Sequence, residues 1–321
     1  MHVTVVICTR NPHPGRFSRV LTALREQDLA PDEWDLLVVD NGSTQPVPAP
    51  DWPRPWRARV ITEPRAGLFH ARLAAIHSVQ SPLIVFIDDD TIPHPACLRS
   101  LRDGFLGDDR LVAAGPRIHP EFLSPPPDWL PEFAWALALR DLGPEPLSWA
   151  LSDGSPFPSF TPIGAGLALR REALPAYLAH ARSQEAEICA RSWIGQGKGG
   201  CEDKDLVLTL IRAGGRVAYL PESILHHIIP PERLEPAYFE RLLPGLNFLW
   251  MRTLHAHGLE EMSAIPPWTL HLRATRSWFR HRAWRRPAPR LRWLAALGLF
   301  RGLAANHRDR FRYPPPIITA G

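Results

Sequence analysis

Leu83-Ile84-Val85-Phe86-Ile87-Asp88-Asp89-Asp90 runs from an unbroken apolar stretch straight into three carboxylates. A short apolar run bounded by polar residues is the pattern of a strand buried on both faces, which puts the aspartates at its carboxyl end. Two earlier segments repeat the arrangement. Val3–Cys8 is apolar and β-branched and ends in Thr9-Arg10-Asn11-Pro12, and Trp34–Val39 ends in Asp40-Asn41-Gly42-Ser43-Thr44. Phe17–Gln27 carries Phe17, Val20, Leu21 and Leu24 at helical spacing, and Gly67–Val79 does the same with Leu68, Arg72, Ala75 and Ile76. Arg59–Thr62 reads as one more short strand. This alternation predicts an α/β fold: a Rossmann-like, doubly wound, mainly parallel sheet with flanking helices. Ligands of such sheets bind beyond the carboxyl ends of the strands, where all three polar clusters fall.

Three adjacent carboxylates repel one another. A divalent cation offsets that repulsion, and carboxylate oxygens are ligands that Mg²⁺ and Mn²⁺ prefer. The bland alternative is an Asp-rich turn. A second acidic group stands in Gly199-Gly200-Cys201-Glu202-Asp203-Lys204-Asp205-Leu206, ahead of a helical stretch with Leu206, Leu210 and Ile211 on one face. One acid there suits a helix start. Three exceed what capping needs, so one is a candidate general base. A Gly-Gly turn, a strand at Arg216–Leu220 and the pair His226-His227 follow; the histidines are metal-ligand candidates. No GxGxxG follows the first strand, which disfavours a dinucleotide-dependent dehydrogenase, and no P-loop is present.

The order of Val6-Ile7-Cys8-Thr9-Arg10-Asn11, Val38-Val39-Asp40-Asn41-Gly42-Ser43, Ala66-Gly67-Leu68-Phe69-His70-Ala71-Arg72, Phe86–Asp90, Gly164-Ala165-Gly166, Glu202–Leu206 and His226-His227 resembles the family 2 glycosyltransferases of the GT-A fold. The resemblance implies a GT-A catalytic domain over residues 1–235, with a nucleotide-binding half at 1–118 and an acceptor half at 119–235. A helical basic extension at 236–321 follows. It implies an inverting, metal-dependent transfer from a nucleotide-diphosphate sugar, expected to be a UDP-sugar, to a hydroxyl of a glycan or lipid-linked acceptor in surface polysaccharide or glycoconjugate synthesis. Thr9, Arg10 and Asn11 would lie along the nucleotide, Asp40 would contact the base and Arg72 the diphosphate. Asp88 would face the ribose, with Asp89 beside it. Asp90 and His227, or His226 in its place, would hold Mn²⁺ or Mg²⁺. Asp203 would be the base, with Glu202, Gly164 and Gly166 on the acceptor side. Other readings are a nucleotidyltransferase, which wants a Gly-rich basic first loop that Thr9–Gly15 lacks, and a silent nucleotide- or glycan-binding relative.

The composition agrees with a globular chain: 321 residues, 45% hydrophobic and 22% charged. Its 36 prolines are about twice the usual share and predict stiff loops. No apolar run reaches the length of a membrane span. The amino terminus enters Val3–Cys8 at once, too short for a signal peptide. Four cysteines without a CxxC pair predict reduced thiols in a cytoplasmic protein. Residues 119–162, rich in Pro and Trp, read as an acceptor-shaping lid or as local packing of Trp129 and Trp135. Beyond Glu235 helices are expected at Tyr238–Leu243, Leu246–His257, Trp268–Trp284 and Leu291–Ala305, with Pro314-Pro315-Pro316 as a stiff end.

Charge is uneven. Residues 231–321 carry 15 Arg against 6 acids, although the whole chain is only +4. A basic tail either faces something anionic or packs on an acidic domain. Within 268–312, Trp268, Trp278, Phe279, Trp284, Trp293 and Phe300 alternate with arginines, a composition suited to peripheral contact with a membrane face. The alternative is packing on the catalytic domain or in a dimer. Nucleic acid has no role in this reading.

Overall fold

The computed structural model describes residues 1–153, 158, 160–192, 200–259, 262–309 and 312–314. Gly199, Pro315 and Pro316, which the sequence reading used, and residues 154–157 and 159 of its Pro- and Trp-rich segment lie outside the described residues. The chain begins with β1 (Val3–Thr9), α1 (Pro14–Arg25), β2 (Trp34–Asp40), β3 (Ala58–Thr62), α2 (Leu68–Ser78) and β4 (Leu83–Phe86). Then come β5 (Thr91–Pro93), α3 (Cys97–Gly107), β6 (Leu111–Phe122), β7 (Leu147–Ala150), β8 (Ala168–Arg170), α4 (Leu174–Ser183) and α5 (Glu185–Cys189). It closes with α6 (Glu202–Arg212), β9 (Arg216–Ile229), α7 (Pro236–His257), α8 (Leu270–His281) and α9 (Ala288–Arg308).

One sheet runs β3-β2-β1-β4-β8-β6-β9-β5, with β7 also paired to β9. The β3-β2-β1-β4 block is parallel throughout, as the apolar runs predict. Val5 and Ile7 pack with α1 and α3 on one face, and Val6 packs with α2 and α6 on the other, all at 0% exposure. Alternate residues of a strand face opposite sides, so both faces need apolar side chains once helices cover both. β8 then enters antiparallel between β4 and β6.

Two prolines that the sequence reading treated as boundaries are crossed. β9 continues past Leu220 because Pro116 pairs with Leu220 while Arg117 pairs with Ile224. Pro221, Glu222 and Ser223 form a bulge there, the place where a strand tolerates proline. α7 runs straight through Pro244. The backbone bond lost at Pro244 is offset by packing on α9, where a Cβ on Gly298 would stand only 2.3 Å from the Pro244 carbonyl oxygen. Only glycine permits that approach.

The Pro- and Trp-rich segment divides. Trp149 is buried in β7, and Trp129 packs edge-on against Phe239 with ring centroids 5.1 Å apart. Trp135, by contrast, is 48% exposed and lines the large cleft described next.

Candidate active site

A cleft of about 1130 Å³ opens beyond the carboxyl ends of β1 and β4, the place an α/β sheet offers to a ligand. Thr9, Arg10, Asn11, Arg72, Asp88, Asp89, Asp90, Gly164, Glu202, Asp203 and His227 all line it. α7 lies past residue 235 and still supplies wall residues, among them Asn247 and Trp250. Asp40 and Gly166 stand outside the lining. The Asp40 carboxylate accepts the backbone N–H of Ser43 at 2.9 Å and of Val47 at 3.1 Å. Burial opposes its charge, but those bonds hold its pKa below the ordinary value. Gly166 has φ +99°, and a Cβ there would meet Leu225 Cδ1 at 2.5 Å. Both residues shape backbone in this structure.

The acidic triplet is partly the turn that was the bland alternative. The Asp88 N–H donates to Thr91 Oγ1 at 3.0 Å, and that hydroxyl donates to the Asp88 carbonyl at 3.1 Å. The side chains nevertheless point into the cleft. Burial, and then the neighbouring Asp90 charge, push Asp88 up to about 6. Asp89, raised by burial, accepts a hydrogen bond from Thr9 Oγ1. Asp90 is held below its ordinary value against its own burial, through His227 and Arg233.

Strand register builds that last contact. Thr91 of β5 faces His227 of β9, and the Ile228 N–H donates to the Asp90 carbonyl at 2.9 Å. Asp90 Oδ1 then stands 3.4 Å from His227 Nε2. His226, one residue earlier, falls on the other side of the strand and packs beside His119, with ring centroids 5.8 Å apart. Of the two histidines left open by the sequence, His227 is the one in the cleft.

Three acids open α6, and packing separates them. Glu202 is paired with Arg72 at 3.1 Å, each side chain only 4% exposed. Asp205 is buried between His180 Nε2 at 3.1 Å and His257 Nε2 at 3.0 Å. Asp203 is half-buried: its Oδ2 accepts the Gly164 N–H at 2.7 Å and its Oδ1 accepts the Lys204 N–H at 2.8 Å. Gly164 allows this, since a Cβ on it would lie 2.1 Å from Arg72 Nη2. A carboxylate with both oxygens fixed and one side open to the cleft can take a proton from a bound hydroxyl.

The model of the glycosyl transferase family 2 matches residues 4–174, more than half of the chain. The chain is a family 2 glycosyltransferase. The mannosyltransferase PcManGT from Pyrobaculum calidifontis, solved with GDP-Man and Mn²⁺, is 19% identical with a TM-score of 0.55, over 96% of this chain and 88% of that one. GalNAc-T7, solved with UDP, GalNAc and Mn²⁺, is 13% identical with a TM-score of 0.51, over 98% of this chain and 59% of its own. At these identities the likeness is one of fold. No curated protein matches this glycosyltransferase in sequence.

Sequence reasoning missed Arg233. In the glycosyltransferase its guanidinium lies 3.1 Å from Asp90 Oδ2 and 3.1 Å from His227 Nε2. The available signal was a cation six residues after a candidate ligand. Lys204 was likewise passed over; its ammonium sits 4.4 Å above the Trp250 ring on the cleft wall. The buried Asp205 is a structural brace of the transferase, tying α6 to α4 and α7. Removing one partner of a buried charged pair typically costs about 3–5 kcal/mol. Asp205→Ala should therefore lower unfolding stability in urea by about that much. A loss under about 1 kcal/mol would mean the two imidazoles do not depend on it.

Proposed function

We propose that the enzyme moves a sugar from a nucleoside-diphosphate sugar to an acceptor hydroxyl, by one displacement that inverts the anomeric centre. The observation that carries this reading is that Asp203, in the cleft that also holds Asp88, Asp90 and His227, is the half-buried acid of its cluster, whereas Glu202 is paired with Arg72 and Asp205 with two histidines. On this reading Thr9, Arg10 and Asn11 run along the nucleotide, and Asp88 and Asp89 take the ribose side. Asp203 accepts the proton of the attacking hydroxyl, on the opposite side of the sugar from the leaving diphosphate. Gly164 and Glu202 support the acceptor wall. Glu202 does so through Arg72, which it orients and whose charge favours a departing phosphate.

The residues present fit a divalent cation. Asp90 and His227 offer one oxygen and one nitrogen side by side, and the Arg233 guanidinium already occupies a cationic position between them. Such ions are commonly held by one or two carboxylates plus substrate phosphates. Asp90 and His227 would hold Mn²⁺ or Mg²⁺, and the ion would supply charge stabilisation for the leaving diphosphate. The structures of PcManGT and GalNAc-T7 with Mn²⁺ support that choice. The donor base, UDP in our reading, and a glycan or lipid-linked acceptor are part of the proposal.

A panel of UDP- and GDP-sugars, incubated with the enzyme and Mn²⁺, tests the function. Consumption of one sugar with release of nucleoside diphosphate, and an inverted product anomer by NMR, is expected. Formation of a nucleoside triphosphate and a sugar 1-phosphate when pyrophosphate is added would make it a nucleotidyltransferase. A retained anomer would remove Asp203 from its role.

A further inference from the structure

Residues 262–308 contain ten arginines and neither Asp nor Glu. The two helices of this stretch use those charges differently. On α9, Arg290 pairs with Glu240 at 2.9 Å and Arg292 with Glu132 at 2.6 Å, so the first turns of this helix set two cations against acids of the domain. The inner face of α8 is covered in turn. Ser277 is buried, Trp278 meets Trp293 edge-on with centroids 4.8 Å apart, and Trp293 Nε1 donates to the Ala274 carbonyl at 3.0 Å.

The outer face of α8 is the opposite of what a water-facing helix presents. Trp268 is 79% exposed, Leu272 69%, Phe279 63% and Trp284 54%. Leu272 and Phe279 share one stripe of α8; Trp268, in the turn Pro267–Thr269 that leads into the helix, and Trp284, just past its end, flank the stripe, the Trp284 ring 6.1 Å from Phe279. Beside the stripe lie exposed Arg276, Arg280, Arg282 and Arg285, which face no carboxylate among the described residues. Large exposed apolar patches mark contact surfaces. A second copy of this chain is a poor occupant, because two such faces would bring arginines against arginines with no acid between them. Aromatic rings and cations together suit the headgroup layer of a bilayer carrying negative charge.

We propose that α8 and Trp284 form a docking surface for an anionic phospholipid bilayer. The helix lies flat, with Trp268, Leu272, Phe279 and Trp284 among the headgroups and the four arginines on lipid phosphates. Among the described residues no helix is long and apolar enough to cross a membrane, so the contact is peripheral. The geometry gives it a direction. α9 packs along α7, and α7 lines the cleft with Asn247 and Trp250, so a bilayer seated on α8 is joined to the cleft wall through two packed helices.

Co-sedimentation of the full chain with phosphatidylcholine vesicles, with and without phosphatidylglycerol, tests this in the absence of any sugar nucleotide. Its outcome is therefore independent of the transfer reaction. Binding is expected only with phosphatidylglycerol and should weaken as salt rises. Each arginine near an anionic surface contributes about fivefold in partitioning, so Arg276→Gln with Arg280→Gln should weaken binding about 25-fold. Phe279→Ser with Trp284→Ser should abolish it. All four side chains are exposed, and unchanged thermal unfolding would confirm that the variants fold. Three results would overturn the proposal: equal recovery with neutral vesicles, full binding by either double variant, or a dimer in light scattering that the Phe279/Trp284 variant dissociates without any vesicle binding by the parent.

Discussion

Asp203→Asn should lower sugar transfer by about 10²–10⁴-fold, the usual worth of a general base, and leave donor affinity nearly intact. The amide keeps an oxygen for the Gly164 N–H, 2.7 Å away in the parent, so the loop holding Gly164 should stay in place. What disappears is the basicity. The loss should therefore fall on kcat and spare the dissociation constant of the donor, read by calorimetry with the nucleoside diphosphate. The neighbouring acids provide the contrast. Glu202→Gln weakens a buried pair with Arg72, so it should disturb donor binding and folding together. If Asp203→Asn transfers sugar at the parental rate, the base lies elsewhere and the proposed chemistry fails.

Asp90→Ala should abolish the part of nucleotide binding that depends on Mn²⁺. A partner standing behind a metal ligand is commonly worth 10–100-fold in metal affinity, so loss of a ligand should exceed about 100-fold. Calorimetric titration of the nucleoside diphosphate, with Mn²⁺ and then with EDTA, separates the two contributions. In the parent, EDTA should weaken binding strongly; in Asp90→Ala it should change little. Arg233 supplies the control. Its guanidinium contacts both Asp90 and His227 and must yield some of that space to an ion. If EDTA leaves parental affinity unchanged while Arg233→Ala destroys it, the guanidinium is the cation of this site and the metal role is wrong.

The parallel half of the fold was legible because its information is local. Val5–Cys8, Leu36–Val39 and Leu83–Ile87 are apolar without interruption, and only a strand covered on both faces needs that. A polar cluster at the end of each run then marks the ligand side of the sheet. The resemblance to the glycosyltransferase family rests on the same segments. The resemblance assigned Arg72, Asp90, Asp203 and His227, with His226 as the alternative, and the fold brings those four to one cleft.

Other features depend on partners distant in the chain. Glu202, Asp203 and Asp205 are equivalent as a sequence cluster. They differ because Arg72 claims one and His180 and His257 claim another. His226 and His227 were separated by the register of β9 against β5, and Pro221 and Pro244 were carried through by a bulge and by a glycine on another helix. The arginines of the tail show the same division: composition determined their abundance and the absence of acids between them. Only the tertiary structure decided that Arg290 and Arg292 of α9 meet Glu240 and Glu132 while Arg276 and Arg280 of α8 point outward beside Leu272 and Phe279. A side chain's environment is set by what packs across from it, and residues that are far apart in sequence supply that partner.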